Sequence, residues 1–309
     1  MKYSLGAAAL LVIAFVTAVS GVNEYFFYAA FVVLQFMVLA TAWNILGGYA
    51  GYVNFGTAAF FAIGSYTAVV LFKWLGAPLA VQIAAAAAVS GLLGFGVGLL
   101  TLRLRGIFFA IATVAIIFIM ETMMMNWRYV GGATGLQLLR PDVLQPFASY
   151  TRMLFFVMAL LAIIAVSVAR YVQISWIGRG LRAIRDSEEA AECSGVPTLK
   201  LKLFACTVSG ALMGAAGAPM PMYLSFIEPA SSFSLNYSVS ALAMPMIGGT
   251  VHWLGPVIGA LLLGSIQQIV TVTISSEINV LVIGVLLVLF VVFAPDGVLG
   301  LFKKFFRNR

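Results

Sequence analysis

No charged side chain interrupts this chain between Glu24 and Lys73, nor between Glu228 and Glu277. Runs of that length do not suit the surface of a water-soluble domain, where about a quarter of residues carry charge. They suit the hydrocarbon core of a bilayer, which takes about 20 apolar residues per crossing helix. The whole chain agrees, with 309 residues, 63% hydrophobic and 9% charged, and a mean hydropathy of +1.09. Apolar runs near 5–22, 26–46, 58–72, 79–101, 107–125, 153–169, 203–223, 238–249, 255–274 and 278–295 are candidate spans. They are continuous rather than alternating, which favours helices over barrel strands. The expected fold is all-α: one polytopic transmembrane helical bundle over residues 1–309 with about ten spans. The runs at 58–72 and 238–249 are short and are expected to be broken or re-entrant.

Basic residues set the expected orientation. With both termini cytoplasmic, Lys2, Arg103, Arg105, the basic residues of 170–202, and Lys303, Lys304, Arg307 and Arg309 lie inside. Lys73, Arg128, Arg140 and Arg152 lie outside. The net charge of +7 therefore reads as topology and not as nucleic-acid binding. Lys2 and the run Leu5–Val16 imitate a secretory leader, but they are expected to form the first span. Cys193 and Cys206 fall in or beside the basic loop, where a reducing interior keeps thiols free, and no metal-ligand spacing appears.

Charge concentrates in one island. Residues 170–202 carry Arg170, Arg179, Arg182, Arg185, Asp186, Glu188, Glu189, Glu192, Lys200 and Lys202, ten of the 27 charged side chains in the chain. The spacing predicts a helix from about Ser175 to Cys193, with Ile177, Leu181, Ile184 and Ala191 as its apolar stripe. Gly195 and Pro197 are its stop signal. Charges of both signs on its other face suit a protein partner better than anionic lipid.

Glycine clusters are the other mark. Asn44, Gly47, Gly48, Gly51, Asn54 and Gly56 crowd one stretch, and Pro245, Gly248, Gly249, Gly255 and Pro256 crowd another. Each glycine costs a helix roughly 1 kcal/mol relative to alanine, so both stretches are expected to interrupt their helices. Interrupted helices at membrane depth line wet cavities or lie buried in protein; here pathway lining and simple close packing are both open. The spacing of Gly47-Gly48, Gly56 and Gly64-Ser65 against Gly248-Gly249, Gly255 and Gly264-Ser265 also suggests two related units.

Glu189-Ala190-Ala191 with Gly195 fits the EAA-x-x-x-G pattern of the coupling loop in ABC importer permeases. Gly178-Arg179-Gly180-Leu181-Arg182-Ala183-Ile184-Arg185-Asp186 through Gly195-Val196 resembles one branch, the Liv-type (LivM-like) permeases of branched-chain amino-acid importers. Gly48–Gly56 running on to Ala58–Thr67 resembles that family's early glycine-rich block. Asn126-Trp127 with Gly131-Gly132 and Thr134-Gly135 resembles its external loop. Thr57 departs from the family's frequent histidine, and Phe118 from a frequent carboxylate.

The resemblance implies a permease subunit forming half of a translocation pathway. Its implied partners are a homologous second permease, two cytoplasmic ABC ATPase subunits and a periplasmic solute-binding protein, in a bacterial inner membrane. Arg179, Arg182, Arg185, Glu188, Glu189 and Gly195 are the implied coupling residues. Asn44, Asn54, Thr57 and Glu121 are candidates for the pathway. No G-x-x-x-x-G-K-[ST] phosphate loop is present, so ATP and Mg are expected on the ATPases and no cofactor on this chain. The rival readings are a urea, short-amide or small carboxylic-acid importer, and an ion-coupled carrier, for which the single intramembrane acid Glu121 is poor material. A membrane enzyme would need a reactive constellation, and the sequence offers none.

Overall fold

The computed structural model describes residues 2–19, 23–139, 147–273, 278–293 and 297–300. Arg140, Asp142 and the basic residues Lys303, Lys304, Arg307 and Arg309 lie outside the described residues. Helices dominate: α1 (Lys2–Val19), α2 (Glu24–Ala50), α3 (Thr57–Leu75), α4 (Leu79–Thr101), α5 (Ile107–Asn126) and α6 (Tyr150–Ile174). The island holds α7 (Trp176–Asp186) and α8 (Glu188–Cys193). Then follow α9 (Thr198–Gly217), α10 (Met220–Leu224), α11 (Pro229–Ser232), α12 (Leu235–Gly248), α13 (Leu254–Thr273) and α14 (Ile278–Phe293). The one sheet among the described residues pairs β1 (Leu136–Gln137) antiparallel with β2 (Phe226–Ile227).

Among the described residues, seven helical stretches are long and apolar enough to cross a membrane: α2 to α6, α13, and Thr198–Leu224, which carries α9 and α10. Gly6–Val19 and Leu281–Phe290 are shorter apolar helices, and α12 has 14 residues. The chain is thus a helical, multi-pass membrane protein. The run expected to be broken at 58–72 is instead the 19-residue helix α3. Its polar residues do not end it because Ser65 and Thr67 donate to the Phe61 and Ile63 carbonyl oxygens one turn back.

At the centre stands α2, which packs on α6, α9, α12 and α13. Every residue from Met37 to Leu46 is buried. By contrast α5 is peripheral, with Ile107, Phe108, Ile111, Phe118 and Ile119 exposed for lipid or a partner. Both glycine clusters do interrupt their helices, between Ala50 and Thr57 and between Gly248 and Leu254, but each break falls past the first residues of its cluster. Helix α2 runs through Gly47 and Gly48 and stops at Gly51, whose φ of 78° is the left-handed cap that glycine permits. Trp43 lies over Gly47, and the Thr250 carbonyl comes close to Gly48, so tertiary packing outweighs the helix cost of both glycines. Likewise α12 runs through Pro245 to Gly248.

Close backbone approach also explains the packing of α3, α4 and α9. Three helices meet where Gly64 of α3 faces Gly214 of α9, itself against Ala86 and Ser90 of α4. A Cβ on Gly64 would lie 2.1 Å from the Gly214 carbonyl oxygen. Membrane helices associate by such backbone proximity, not by hydrophobic drive. Gly64→Val is therefore expected to abolish the folded protein, read as loss of a monodisperse peak in detergent. Gly96→Ala, with open space around its Cα, is expected to be neutral or to stabilise by up to about 1 kcal/mol.

Candidate functional site

The island folds as two helices, not one. Ser187 adopts an extended backbone (φ −163°) and its hydroxyl accepts from the Ala190 N–H at 3.4 Å, capping α8. Glu188 and Glu189 occupy the first turn, where the helix dipole favours acids. This start signal, serine followed by two acids, is present in the sequence and corrects the single helix expected over 175–193. The expected stripe does turn inward: Leu181, Ile184 and Ala191 are buried and Ile177 packs beside them, against the ends of α2 and α9.

Gly195 closes α8 with φ of 81°, while the Val196 N–H reaches back to the Ala191 carbonyl oxygen at 3.0 Å. That five-residue reach is the Schellman closure, and it explains why the EAA-x-x-x-G spacing ends in glycine. Arg179, Arg182 and Glu189 are exposed on the outer side of α7 and α8. Arg185 turns back instead, donating to the Gly48 carbonyl oxygen at 3.1 Å in the last turn of α2.

Glu188 also turns inward. Its carboxylate accepts from the Lys202 ammonium at 2.6 Å and from the Tyr52 hydroxyl, with the Arg105 guanidinium at 3.8 Å. Lys202, 3% exposed, also donates to the Leu102 carbonyl oxygen at 3.2 Å. Arg105 reaches Glu189 at 3.0 Å. One charge cluster thus ties α8 to α9, to the segment after α2 and to the α4–α5 connection. Burial alone would raise the Glu188 carboxyl, but the hydrogen bonds from Lys202 and Tyr52 outweigh it and hold the group below the usual carboxylate range. Burial, then the hydrogen bond to Glu188, push the Tyr52 hydroxyl up, so it stays a donor at neutral pH. Lys202, Tyr52 and Arg105 were not identifiable from local sequence, because the contacts span 14 to 150 residues; the available signal was a lysine immediately before the 203–223 apolar run.

A second tie lies beside it. Gln173 of α6 donates to the Val251 carbonyl oxygen at 2.7 Å and accepts from the Trp253 N–H at 3.1 Å. His252 accepts from the Leu254 N–H, a cap on α13 and not a ligand set. The candidate pathway residues scatter around this frame. Asn54 is a turn former: its side chain accepts from the Gly56 N–H at 2.7 Å, and its carbonyl from the Trp43 indole. Asn44 and Thr57 are fully buried, and neither the Asn44 amide nor the Thr57 hydroxyl has a partner in hydrogen-bond geometry. The Tyr49 hydroxyl beside Asn44 donates to the Ala169 carbonyl oxygen at 3.4 Å. Glu121 is half-buried on α5.

Residues 25–291 match the family model described as branched-chain amino acid transport system / permease component. The chain belongs to this family. The high-affinity branched-chain amino acid transport system permease protein LivM of Salmonella typhimurium is 27% identical over 289 residues, 85% of this chain and 67% of that protein. The ribose import permease protein RbsC of Haemophilus influenzae is 32% identical over 40% of this chain and 39% of its own length. The probable branched-chain amino acid transport permease protein LivH of Methanocaldococcus jannaschii is 30% identical over 42% of this chain and 43% of its own. No solved structure matches. As a member of this permease family the chain is a transport subunit.

Removing one partner of a buried ion pair costs roughly 3–5 kcal/mol. The pair here falls toward the lower end, since Glu188 keeps 14% of its side chain exposed. Lys202→Met and Glu188→Gln are each expected to lower the thermal midpoint in detergent by several degrees, because each leaves a buried charge without its main counterion. A carboxyl whose folded value is depressed stabilises above its unfolded value and loses that contribution as pH falls through the folded one. The wild-type advantage over Glu188→Gln should therefore hold at pH 7 and vanish only below the ordinary glutamate value of about 4.3. An advantage already gone at pH 6 in thermal melts would contradict the assignment.

Proposed function

We propose that this chain is one permease subunit of an ATP-driven importer for branched-chain or other hydrophobic amino acids. The exposed outer side of α7 and α8 carries the reading: a charged surface on a chain otherwise short of charge, closed by the EAA-x-x-x-G turn. Arg179, Arg182 and Glu189 meet a cytoplasmic ABC ATPase there, while Glu188, Arg185 and Gly195 hold the surface in shape. ATP and Mg bind to the two ATPase subunits, whose closure displaces α7 and α8 as a rigid body. Through Arg185 and Tyr52 that displacement reaches the last turn of α2 and the start of the α2–α3 connection.

A homologous second permease completes the pathway, and a periplasmic binding protein delivers the solute. In this arrangement ten apolar helices, α1 to α6, α9 and α12 to α14, span a bacterial inner membrane, with the island and both termini in the cytoplasm. The amino-acid assignment leans on the LivM similarity, which runs along most of the chain. Asn44 and Thr57 join the pathway in a state that opens the bundle, since a buried polar group without a partner costs about 1–3 kcal/mol and gains by meeting water or solute. Asn54 shapes the turn beside them, and Glu121 lies toward the outer end of α5.

Arg179→Glu is the discriminating substitution, because the side chain is exposed and touches none of the cluster. In proteoliposomes holding the whole importer it is expected to reduce ATP-dependent leucine uptake by about tenfold or more, the effect of losing a charged interface contact. Folding and detergent stability should be retained. Unchanged uptake and unchanged retention of the ATPases would remove α7 as the docking surface.

A further inference from the structure

The end of the bundle opposite the island carries a groove of about 330 Å³, within the size range of small-molecule sites. Its floor is α2 at Val32, Gln35 and Phe36, and its walls are Met220, Ser231 and Asn236. A smaller cavity of about 40 Å³ adjoins it, sharing Met220, Ser231 and Tyr237. No charged side chain lines either one.

Three features set this groove apart from a packing defect. It lies where the helical path is interrupted: between α9 and α12 the chain passes through α10, β2 and α11, with Pro219, Pro221 and Pro229. Irregular backbone of this kind persists in membrane proteins where protein buries it or a wet cavity takes up its polar groups. Within the interruption, Ser225 is the only non-glycine residue of positive φ among the described residues, at 59°. Such strain is retained where the surroundings impose it, and it collects at binding and switch regions. Finally, Gln35 is a polar side chain, 1% exposed, in the charge-free run of α2. It lies about 16 Å along the helix from Glu24. Its amide nitrogen donates to the Ala216 carbonyl oxygen at 3.3 Å and contacts the Met220 sulfur. That engages the amide nitrogen, so the oxygen is the hydrogen-bonding atom that Gln35, a lining residue of the groove, can offer a solute.

We propose that this groove is the outward solute site of the permease, taking a small solute of zero net charge with an N–H donor and an aliphatic body. The donor meets the Gln35 oxygen, Ser231 and Asn236 bind the polar end, and Val32, Phe36 and Met220 receive the aliphatic part. A solute with net charge finds no countercharge and is refused. The assignment rests on the importer reading, and it places the solute away from Asn44, Asn54, Thr57 and Glu121, none of which lines either cavity.

The test uses the whole importer in proteoliposomes. Ser231→Cys is combined with Cys193→Ser, leaving the buried Cys206 as the other thiol, and labelled with a small polar maleimide. Leucine is expected to slow labelling, and lysine is not. Gln35→Leu and the exposed-site variant Asn236→Ala should each raise the apparent KM for leucine by about fivefold, the loss of one hydrogen bond of about 1 kcal/mol. Three results overturn the groove while leaving the importer intact: active uptake with labelling that leucine does not slow, equal protection by lysine, or a cysteine already inaccessible before solute is added, which marks a subunit interface. An assembly that takes up no leucine at all defeats the importer reading, and the groove with it.

Discussion

A lysine ammonium taken out of water at the end of an apolar helix requires a partner, and the way Lys202 is satisfied organises one whole end of this protein. Its three acceptors come from three different places: the Glu188 carboxylate on α8, the Leu102 carbonyl closing α4, and the Tyr52 hydroxyl just past α2. Without the lysine, Glu188 would face the bundle end with its charge only partly answered by Arg105, and the α8 helix of six residues is too short to hold itself. The pair therefore specifies where the island sits. Stability alone is a weaker reason for keeping it, because a buried ion pair often matches apolar packing of equal volume in free energy.

The same arrangement separates two tasks among residues that look alike in the sequence. Arg185 and Glu188 reach inward and position, whereas Arg179 and Arg182 face out, with Glu189 exposed beside them while paired to Arg105. The glycine of EAA-x-x-x-G has no chemistry of its own; it supplies the left-handed turn that ends α8 on time. Farther back along α2, at Val32, Gln35 and Phe36, the character changes from ionic ties to an uncharged groove beside an interrupted helical path. One helix, buried without exception from Met37 to Leu46, joins the two ends.

Much of the fold was legible because bilayer burial imposes long uncharged runs, and those runs became α1 to α6, α9 and α12 to α14. The inward stripe Leu181, Ile184 and Ala191 was legible for the same reason of period. What was not legible depended on partners far along the chain. Gly47 and Gly48 suggest a helix break by propensity, yet Trp43 and the Thr250 backbone hold the helix through them. The cluster of Lys202, Glu188, Tyr52 and Arg105 has no local signature, and Gln35 offered none beyond being an amide in an apolar run. The break at Ser187 was written in a capping pattern that the regular spacing of the apolar stripe concealed.

The central claim is that the cluster holds α7 and α8 in a ready shape whose outer side receives an ATPase. Cys193, exposed at the end of α8, reports on it directly, because the other thiol, Cys206, is buried. The measurement is the rate of maleimide labelling of native Cys193 in inside-out membrane vesicles, stripped of ATPase subunits and then reconstituted with them. Rapid labelling that falls when the ATPases return is the predicted result. Labelling at the same rate with ATPases bound, or labelling only from the opposite face of the membrane, would contradict it.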